Sequence, residues 1–449
     1  MSSTEQKKQG GGLTPQADAP KVPTSLDDLD VPAAILENLI LKHLAVYPKS
    51  NVLELSRYLG VIGQFIDANL QKLREKALVE VFQAERSAFQ SDNSGAQVRY
   101  ALSEQGNEEA DKAFSKDAYV GPMPVSLKNY NEMVQKQDVR ERVVTRTDVE
   151  RALSDVYGAE RLIPVIGPAI NSGRALLLYG HAGSGKTFVA ERILNAHHTS
   201  VYIPHAVYAG GNIIKVFSPQ HHKPVPQESN SLLSARLDQQ YDKRWILCQR
   251  PSIQIGGELT MDMVEVNHSE QSKVWTAPLQ MMANNGILVI DDLGRQPVPV
   301  DTILNRWIVP MEYFYDHLGL PNGQQITVPF ILTLAFSTNL DPQKIADPAF
   351  LRRLGYKIQF YALKESEYTS LWEDNTSRKN LGLPEESVSK LLSLHNHYSV
   401  GYFPCIPKDI VGISRDIIAF EEIDPVITPD IMERAWDLYF TSDGKGGVI

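Results

Sequence analysis

A glycine-rich octapeptide near the middle of the chain has the residue types and the spacing needed to bind a phosphate group. It follows the apolar run Ala175–Tyr179, precedes the helix-forming segment 188–194, and reads Gly180-His181-Ala182-Gly183-Ser184-Gly185-Lys186-Thr187. Its glycines let successive backbone N–H groups wrap an anion, and the N-terminus of the following helix stabilises negative charge. We expect Lys186 to reach the β- and γ-phosphates of a nucleotide and the Thr187 hydroxyl to coordinate Mg²⁺. The alternative is an accidental glycine loop, and the strand before it and the helix after it argue against chance.

Two adjacent aspartates end a second apolar run, Ile287–Ile290. A buried strand that ends in acids is typical of the motif that cooperates with a phosphate-binding loop. Asp291 would hold Mg²⁺ through water, and Asp292 would orient and polarise the water that attacks the γ-phosphate. The alternative is a strand end whose carboxylates are only solvated.

Two further segments resemble the nucleotide-contacting sensor motifs of AAA+ ATPases. The apolar run 332–337 ends in Thr338-Asn339 and resembles the sensor-1 strand, which implies that Asn339 lies beside the γ-phosphate and helps to hold the attacking water. The segment Cys405–Ile410 resembles sensor 2, where a basic residue near the start of a lid helix contacts the nucleotide. Lys408 stands where arginine is more usual, and an unrelated surface lysine is an equal alternative.

An arginine pair ends the segment Asp347–Arg353. In AAA+ ATPases a matching pair ends a helix at the subunit edge, which implies that Arg352 or Arg353 reaches the γ-phosphate of a neighbouring subunit. A guanidinium group supplies fixed, permanently charged donors to the charge that develops in phosphoryl transfer. In the alternative, both groups only stabilise a helix C-terminus.

The order of these five segments resembles that of an AAA+ ATPase over residues 119–440. The resemblance implies ATP and Mg²⁺ as cofactors, ATP hydrolysis, and a ring that is expected to be a hexamer. In the family at large, glutamate is more usual at the position of Asp292, and the shorter side chain would slow hydrolysis or shift the water. Further runs are similar to a bacterial group that is loosely joined with MoxR-like ATPases and usually described only as ATP-binding: Ile166–Gly173, Pro278–Gln280, Asp291–Gln296, Leu304–Pro310 and Phe336–Leu340.

Hydrophobic periodicity divides the chain into four parts. Short apolar strands that alternate with helices predict an α/β fold, in which a parallel sheet is sandwiched between helices. The candidate strands are Ala175–Tyr179, Ser200–Ile203, Ile287–Ile290, Ile331–Ser337 and Tyr356–Phe360. The expected parts are a disordered tail at 1–30, a winged helix-turn-helix domain at 31–118, the AAA+ domain at 119–362 and a C-terminal helical lid at 363–449.

The predicted AAA+ domain contains more residues than a plain core needs, which predicts an insertion at about 205–275. Within it, Trp245–Pro251 and Ile253–Val266 predict a β-hairpin with its turn at Gly256-Gly257. A similar hairpin occurs in chelatase- and MoxR-like AAA+ proteins. A pore or client contact and an elaborated sheet edge are both open interpretations of this insertion.

The charge of the predicted winged helix bears on its partner. Residues 31–118 contain 10 Lys and Arg against 12 Asp and Glu, a net charge of −2. Phosphate contacts dominate DNA affinity, so a nearly neutral module favours protein docking over DNA, although Lys72, Arg74, Lys76, Arg86 and Arg99 could form a small basic face. An oligomeric remodelling motor with an unknown protein client is therefore the first hypothesis. A DNA-linked ATPase or regulator, and a nucleotide-gated scaffold with little turnover, are the alternatives.

Composition and charge exclude several other classes of protein. The chain of 449 residues has a net charge of −10, and Cys248 and Cys405 are its two cysteines. So few thiols exclude a disulfide scaffold and fit a reducing compartment. We expect no signal peptide, no membrane insertion and a cytoplasmic location. The histidines at 197, 198, 205, 221 and 222 lack ligand spacing, which predicts surface or loop positions without zinc.

Overall fold

The computed structural model describes residues 14–15, 19–83, 98–197, 199–226 and 241–440. A two-residue strand, β1 (Thr14–Pro15), comes first, and four helices with a three-stranded antiparallel sheet follow. These elements are α1 (Ala33–Val46), β2 (Ser50–Asn51), α2 (Val52–Leu59), α3 (Gly63–Glu75), β3 (Val79–Gln83), β4 (Val98–Leu102) and α4 (Glu104–Lys116).

The N-terminal helices form where caps and apolar spacing coincide. Asn51 accepts a hydrogen bond from the Glu54 amide, and the Glu54 carboxylate accepts one from the Asn51 amide, which completes a capping box at the start of α2. Leu39, Leu55 and Ile66 are fully buried in one core. These elements fall within the range 31–118 expected for one domain, and the winged-helix assignment stays a prediction. Its loop at Ser91–Gly95 lies outside the described residues.

Part of the predicted tail packs against the rest of the chain. Leu29 is buried, and the Pro20 carbonyl accepts a hydrogen bond from the Asp242 amide. Residues 19–30 therefore differ from the expectation of a disordered tail, because the apolar side chain of Leu29 joins the core of the N-terminal domain. Residues 1–13 and 16–18 lie outside the described part of the chain.

The middle of the chain alternates strands with helices, as expected. It begins with β5 (Val125–Ser126), α5 (Leu127–Lys136), α6 (Arg146–Ala152), α7 (Ala159–Ser172), β6 (Leu176–Gly180), α8 (Lys186–Ile193), β7 (Thr199–Pro204), β8 (Ala206–Ala209) and β9 (Asn212–Lys215). It continues with β10 (Trp245–Gln249), β11 (Ser252–Ile255), β12 (Asn267–Ser269), β13 (Val274–Thr276), α9 (Leu279–Met282), β14 (Ile287–Ile290), α10 (Val300–Tyr313), β15 (Tyr315–Gly319), β16 (Gln325–Pro329), β17 (Thr333–Thr338), α11 (Pro342–Ile345), α12 (Pro348–Arg353) and β18 (Tyr356–Phe360).

A five-stranded parallel sheet forms the centre of this region. Its order is β11-β14-β17-β6-β18, and each neighbouring pair is parallel. Side chains of β14 alternate between two cores, with Ile287 and Val289 on one face and Leu288 and Ile290 on the other. This explains the unbroken apolar run, since a strand covered on both faces needs apolar residues at every position. The predicted α/β fold with helices on both faces is confirmed.

Two predictions about the strands were wrong. The strand predicted at Ser200–Ile203 forms, but β7 pairs antiparallel with β10 rather than within the central sheet. The predicted hairpin with its turn at Gly256-Gly257 does not form, because β11 pairs with β14 and its partner is not β10. Apolar runs show that a strand is buried, and they do not show which strand lies beside it.

Four strands in or at the end of the predicted insertion, β8, β9, β12 and β13, build a second sheet together with β5. Its order is β12-β13-β9-β8-β5, and β15 with β16 forms a separate hairpin. Residues 227–240 lie outside the described part. Ala206 and Ile213 of this second sheet join the core of the N-terminal domain. The insertion therefore packs against the N-terminal domain through these two side chains.

Two of the histidines predicted at surface or loop positions lie outside the helices and strands, and both are buried. His222 is 1% exposed; its Nδ1 accepts a hydrogen bond from the Ser218 amide, and its Nε2 donates one to the Met282 carbonyl. His197 is also buried. Burial lowers the pKa of His222 to about 4, which keeps the ring neutral and suits its structural hydrogen bonds.

Four helices complete the described chain: α13 (Glu365–Arg378), α14 (Glu385–Tyr398), α15 (Cys405–Glu421) and α16 (Pro429–Tyr439). They enclose a core of their own that includes Trp372, Ile410 and Trp436. Thr428 caps α16 by accepting a hydrogen bond from the Ile431 amide, as the Thr-Pro pair predicts. No helix in the described ranges is long and apolar enough to cross a membrane.

Candidate functional site

The sheet topology brings three predicted segments to one edge. The glycine-rich loop follows β6, Asp291 follows β14, and Asn339 follows β17, and these strands are adjacent and parallel. The carboxyl ends of parallel strands meet at one edge of a sheet, which is where such folds bind ligands. The three segments therefore converge although they lie far apart in sequence.

The loop between β6 and α8 requires glycine at a defined position. Gly183 has φ 72, and a Cβ atom there would collide with Sγ of Cys405 at the start of α15. The Cys405 amide also donates a hydrogen bond to the Gly183 carbonyl at 3.3 Å. The loop is thus packed directly against the C-terminal helical region.

Lys186 lies inside the loop. Its Nζ donates to the carbonyl oxygens of Gly180 and His181 at 3.0 and 2.8 Å, and to Oδ1 of Asn339 at 2.7 Å. Burial lowers the pKa of the ammonium group, and the carboxylates of Asp291 and Asp292 oppose that effect. A buried cation at the N-terminus of a helix is suited to a polyphosphate.

Thr187 and Asp291 provide oxygen atoms for a hard cation. The Thr187 hydroxyl lies 3.0 and 2.9 Å from the two carboxylate oxygens of Asp291, and Nε2 of Gln254 donates to Oδ2 of Asp291 at 3.0 Å. Mg²⁺ is usually held by one or two protein oxygens together with phosphate and water. The Thr187–Asp291 pair offers oxygen atoms of this kind. In the described chain no three His, Cys, Asp or Glu residues form a metal cluster.

Asn339 connects the loop to the second aspartate. Its Nδ2 donates to Oδ1 of Asp292 at 2.9 Å, while its Oδ1 accepts from Lys186. Asp292 has φ 48, in the left-handed region that residues other than glycine adopt rarely. The Lys186, Asn339 and Asp292 side chains thus form one hydrogen-bonded chain along the edge of the sheet.

A cavity of 1080 Å³ opens beside this network. The loop and the ends of β14 and β17 form one wall, and the C-terminal helices contribute Arg378, Cys405 and Lys408. Tyr157 and Arg161 line it from the region around α7. Lys408 therefore faces the same cavity as the loop, and its predicted role as a nucleotide contact stays a prediction.

The arginine pair lies elsewhere. Arg352 and Arg353 end α12, both are exposed, and neither lines the cavity of its own chain. Nε of Arg353 donates to Oε1 of Glu312 on α10 at 2.7 Å. The structure therefore does not bring this pair to the site formed by Lys186 and Asp291.

Several residues of the site were missed from the sequence. Gln254 contacts Asp291 only because β11 is the neighbour of β14, a pairing that no sequence pattern indicated. Gln296 lies in the turn after Asp292 and contacts the Asp291 carbonyl. No role of its own followed from the sequence, because it only forms part of the run Asp291–Gln296 that is similar to the bacterial ATP-binding group. Arg378 reaches the cavity from α13 and lies in no recognisable motif.

Comparison with known proteins gives one family match, to a domain of unknown function, DUF8689, over residues 364–438. No curated protein sequence matches the chain. Among solved structures, a mutant of Thermotoga maritima RuvB has 12% identity and TM-score 0.36, covering 69% of this chain and 75% of that chain. The T. maritima RuvB Holliday junction branch migration motor has 13% identity and TM-score 0.34, covering 70% and 76%. NtrX from Brucella abortus has 14% identity and TM-score 0.38, covering 73% and 59%.

The class of the fold rests on the chain's own geometry. A glycine-rich loop with the spacing of a P-loop follows β6, which lies between β17 and β18 in a five-stranded parallel sheet, and a helical region follows the sheet. This is the α/β fold of the AAA+ P-loop proteins.

Proposed function

We propose that this protein binds ATP with Mg²⁺ and hydrolyses it. The observation that carries this proposal is the hydrogen-bonded chain of Lys186, Asn339 and Asp292 beside the Thr187–Asp291 pair, all at one edge of a 1080 Å³ cavity. A buried cation, a pair of metal-binding oxygens and a carboxylate held by an amide are the groups that phosphoryl transfer to water requires.

Each side chain has a distinct part in the proposed reaction. The glycine-rich loop, through Gly180, Gly183, Ser184 and Gly185, and Lys186 bind the phosphates. Thr187 and Asp291 hold Mg²⁺, which neutralises charge on the phosphate oxygens when bound. The Asp292 carboxylate orients the attacking water and accepts its proton, and Asn339 fixes that carboxylate. Lys408 contacts the nucleotide from α15.

The proposed working form is an oligomer in which Arg352 or Arg353 completes the site of a neighbouring subunit. Their exposure and their separation from their own cavity support a role in trans. An arginine supplied by a neighbour would couple hydrolysis to assembly, as expected of a ring that remodels a protein client. A hexamer is the proposed size of this ring.

The N-terminal domain is proposed to dock a protein rather than DNA. The exposed side of α3 carries Lys72 and Arg74 beside Glu75, and Lys76 pairs with Glu37 at 2.8 Å. Mixed charge of this kind gives little attraction for a phosphate backbone. Tight, salt-sensitive binding of duplex DNA by the full chain would favour a DNA-linked ATPase instead.

The test is ATP turnover as a function of protein concentration, for wild type and for three variants: Lys186→Ala, Asp292→Asn and the double change Arg352→Ala with Arg353→Ala. Specific activity is expected to rise with concentration in the wild type, and all three variants are expected to lose it. If the wild type turns over ATP no faster than Lys186→Ala at any protein concentration, the proposal is wrong. That result would favour a nucleotide-gated scaffold.

A further inference from the structure

The turn after β14 has an unusual backbone that must be held by its surroundings. Asp292 has φ 48 and Gly294 has φ 107, so two residues within three positions are left-handed. An aspartate adopts this conformation rarely, and it persists only where neighbouring groups fix it. The turn's own hydrogen bond, from the Arg295 amide to the Asp292 carbonyl at 3.0 Å, is one such contact.

The side-chain amide of Gln296 provides the other contacts. Its Nε2 lies 2.9 Å from the Asp291 carbonyl oxygen, 3.3 Å from that of Asp292 and 3.2 Å from that of Gly256. Its Oε1 accepts a hydrogen bond from the Gly294 amide at 2.9 Å. One half-buried side chain thus joins the end of β14, both left-handed residues and the segment that follows β11.

The direction of the Asp292 carboxylate depends on this turn. In this backbone conformation, which the Gln296 amide contacts, the carboxylate accepts a hydrogen bond from Nδ2 of Asn339 at 2.9 Å. The contacts of Lys186 with the loop do not involve Gln296, whereas Gln296 does contact the backbone carbonyl of Asp291, whose side chain pairs with Thr187. A change at Gln296 would therefore move the Asp292 carboxylate and leave Lys186 and the glycine-rich loop, the groups proposed to bind the phosphates, in place.

We infer that Gln296 is a positioning residue for ATP hydrolysis, which acts through the backbone of Asp292. This role rests on the proposed ATPase function, because it concerns the same carboxylate. Glutamine is needed at this position because its side-chain amide has N–H donors. Glutamate has the same shape, but its ionised carboxylate would place an oxygen atom beside three carbonyl oxygens, where no hydrogen bond can form. Gln296 is also the direct link between Asp292 and Gly256, so the loop after the edge strand β11 helps to set the site.

The experiment compares full-length wild type with Gln296→Glu, Gln296→Met and the matched control Gln135→Glu, whose glutamine is exposed on α5. For each we measure kcat and KM for ATP, the Kd of a fluorescent ATP analogue, and thermal unfolding. At pH 7.5 both Gln296 variants are expected to lose about tenfold or more in kcat with Kd within about twofold of wild type.

The positioning role of Gln296 and the proposed ATPase function are contradicted by different results. If kcat is unchanged in both Gln296 variants, the positioning role is wrong. It is also wrong if both variants lose their folding or their nucleotide binding. In either case an active wild type leaves the proposed ATPase function in place. A wild type no faster than Lys186→Ala overturns both, since no hydrolysis would then exist for Gln296 to assist. If Gln135→Glu loses as much kcat as Gln296→Glu, the loss comes from the added negative charge, and the positioning role of Gln296 is wrong.

Discussion

At the scale of single residues, the site depends on a few side chains that each bridge two segments. Asn339 joins Lys186 to Asp292, and Gln254 joins β11 to Asp291. These bonds involve charged partners, which makes them stronger than bonds between neutral groups. The geometry of the site therefore includes Gln254, an amide that no motif singles out, in addition to Asn339 and the charged residues that motifs do identify.

Gly183 provides a test at this scale. Gly183→Ala places a side chain at φ 72 and against Cys405 Sγ, so we expect it to weaken both the ATP site and the packing of α15. The matched control is Gly211→Ala, which has φ 77 but open space around its added Cβ. Left-handed strain alone costs about 1–2 kcal/mol.

The measurements are the free energy of unfolding in urea and the Kd for ATP. Gly183→Ala is expected to lose more stability than Gly211→Ala and to lose ATP binding, which the control retains. Equal losses of stability in the two variants, with ATP binding intact in both, would show that the contact with Cys405 is unimportant.

At the scale of elements, the C-terminal helices form a unit held by a buried polar contact. His395 on α14 contacts the Tyr368 hydroxyl through Nε2 and the Val400 carbonyl through Nδ1, each at 2.9 Å. Trp372 and Trp436 are buried in the same core. The cavity-lining residues Arg378 and Lys408 project from this unit, so its stability bears directly on the site.

His395 predicts how the stability of this unit depends on pH. Burial lowers its pKa to about 4, below the value of about 6.5 for an unfolded histidine. Between these values the unfolded chain binds a proton that the folded chain does not. The contribution of neutral His395 to the free energy of unfolding is therefore complete above pH 6.5. It decreases as the pH falls toward 4, by at most about 1.4 kcal/mol per pH unit.

Urea unfolding between pH 7 and pH 4.5 measures this dependence. His395→Gln should show a shallower loss of stability with falling pH than wild type, and the exposed His397→Gln should behave as wild type does. The same slope in all three proteins would contradict the assignment of a neutral, buried His395.

At the scale of the whole molecule, the N-terminal domain and the central region are joined by buried contacts. The Met123 amide donates to the Leu59 carbonyl at 2.8 Å. Arg244, which pairs with Asp242 in the interior, also donates to the carbonyl oxygens of Leu29 and Pro124. The N-terminal domain thus packs against the second sheet through both hydrogen bonds and buried apolar side chains.

A mixing experiment tests whether sites are shared between subunits. Lys186→Ala lacks a working loop, and the double variant Arg352→Ala with Arg353→Ala lacks the arginine pair. Each alone should be inactive. Mixed in equal amounts and allowed to exchange, they should regain activity in about a quarter of the sites, because a heterologous ring then pairs intact loops with intact arginines at random. No recovery after proven exchange would indicate that the arginines do not act in trans.

The sequence by itself determined the parts of this protein that depend on local chemistry. The glycine-rich loop, the acid-ended strand β14, the polar end of β17 and the four C-terminal helices follow from residue type and periodicity, since phosphate binding and burial each require particular residues at short spacing. The predicted α/β class followed from the same alternation of strands and helices. These features lie within single elements, where neighbours in sequence are also neighbours in space.

Only the tertiary structure decided which elements lie side by side. β11 rather than β7 completes the central sheet, which brings Gln254 to Asp291 and Gly256 to Gln296. The burial of His222 and Leu29 likewise depends on segments far away in sequence. Strand pairing and burial are determined by packing over the whole chain, and an apolar run has the same appearance in either sheet. The candidate catalytic groups, including the Asn339 amide, were therefore proposed from the sequence, while the contacts of Gln254 and Gln296 appeared only with the fold.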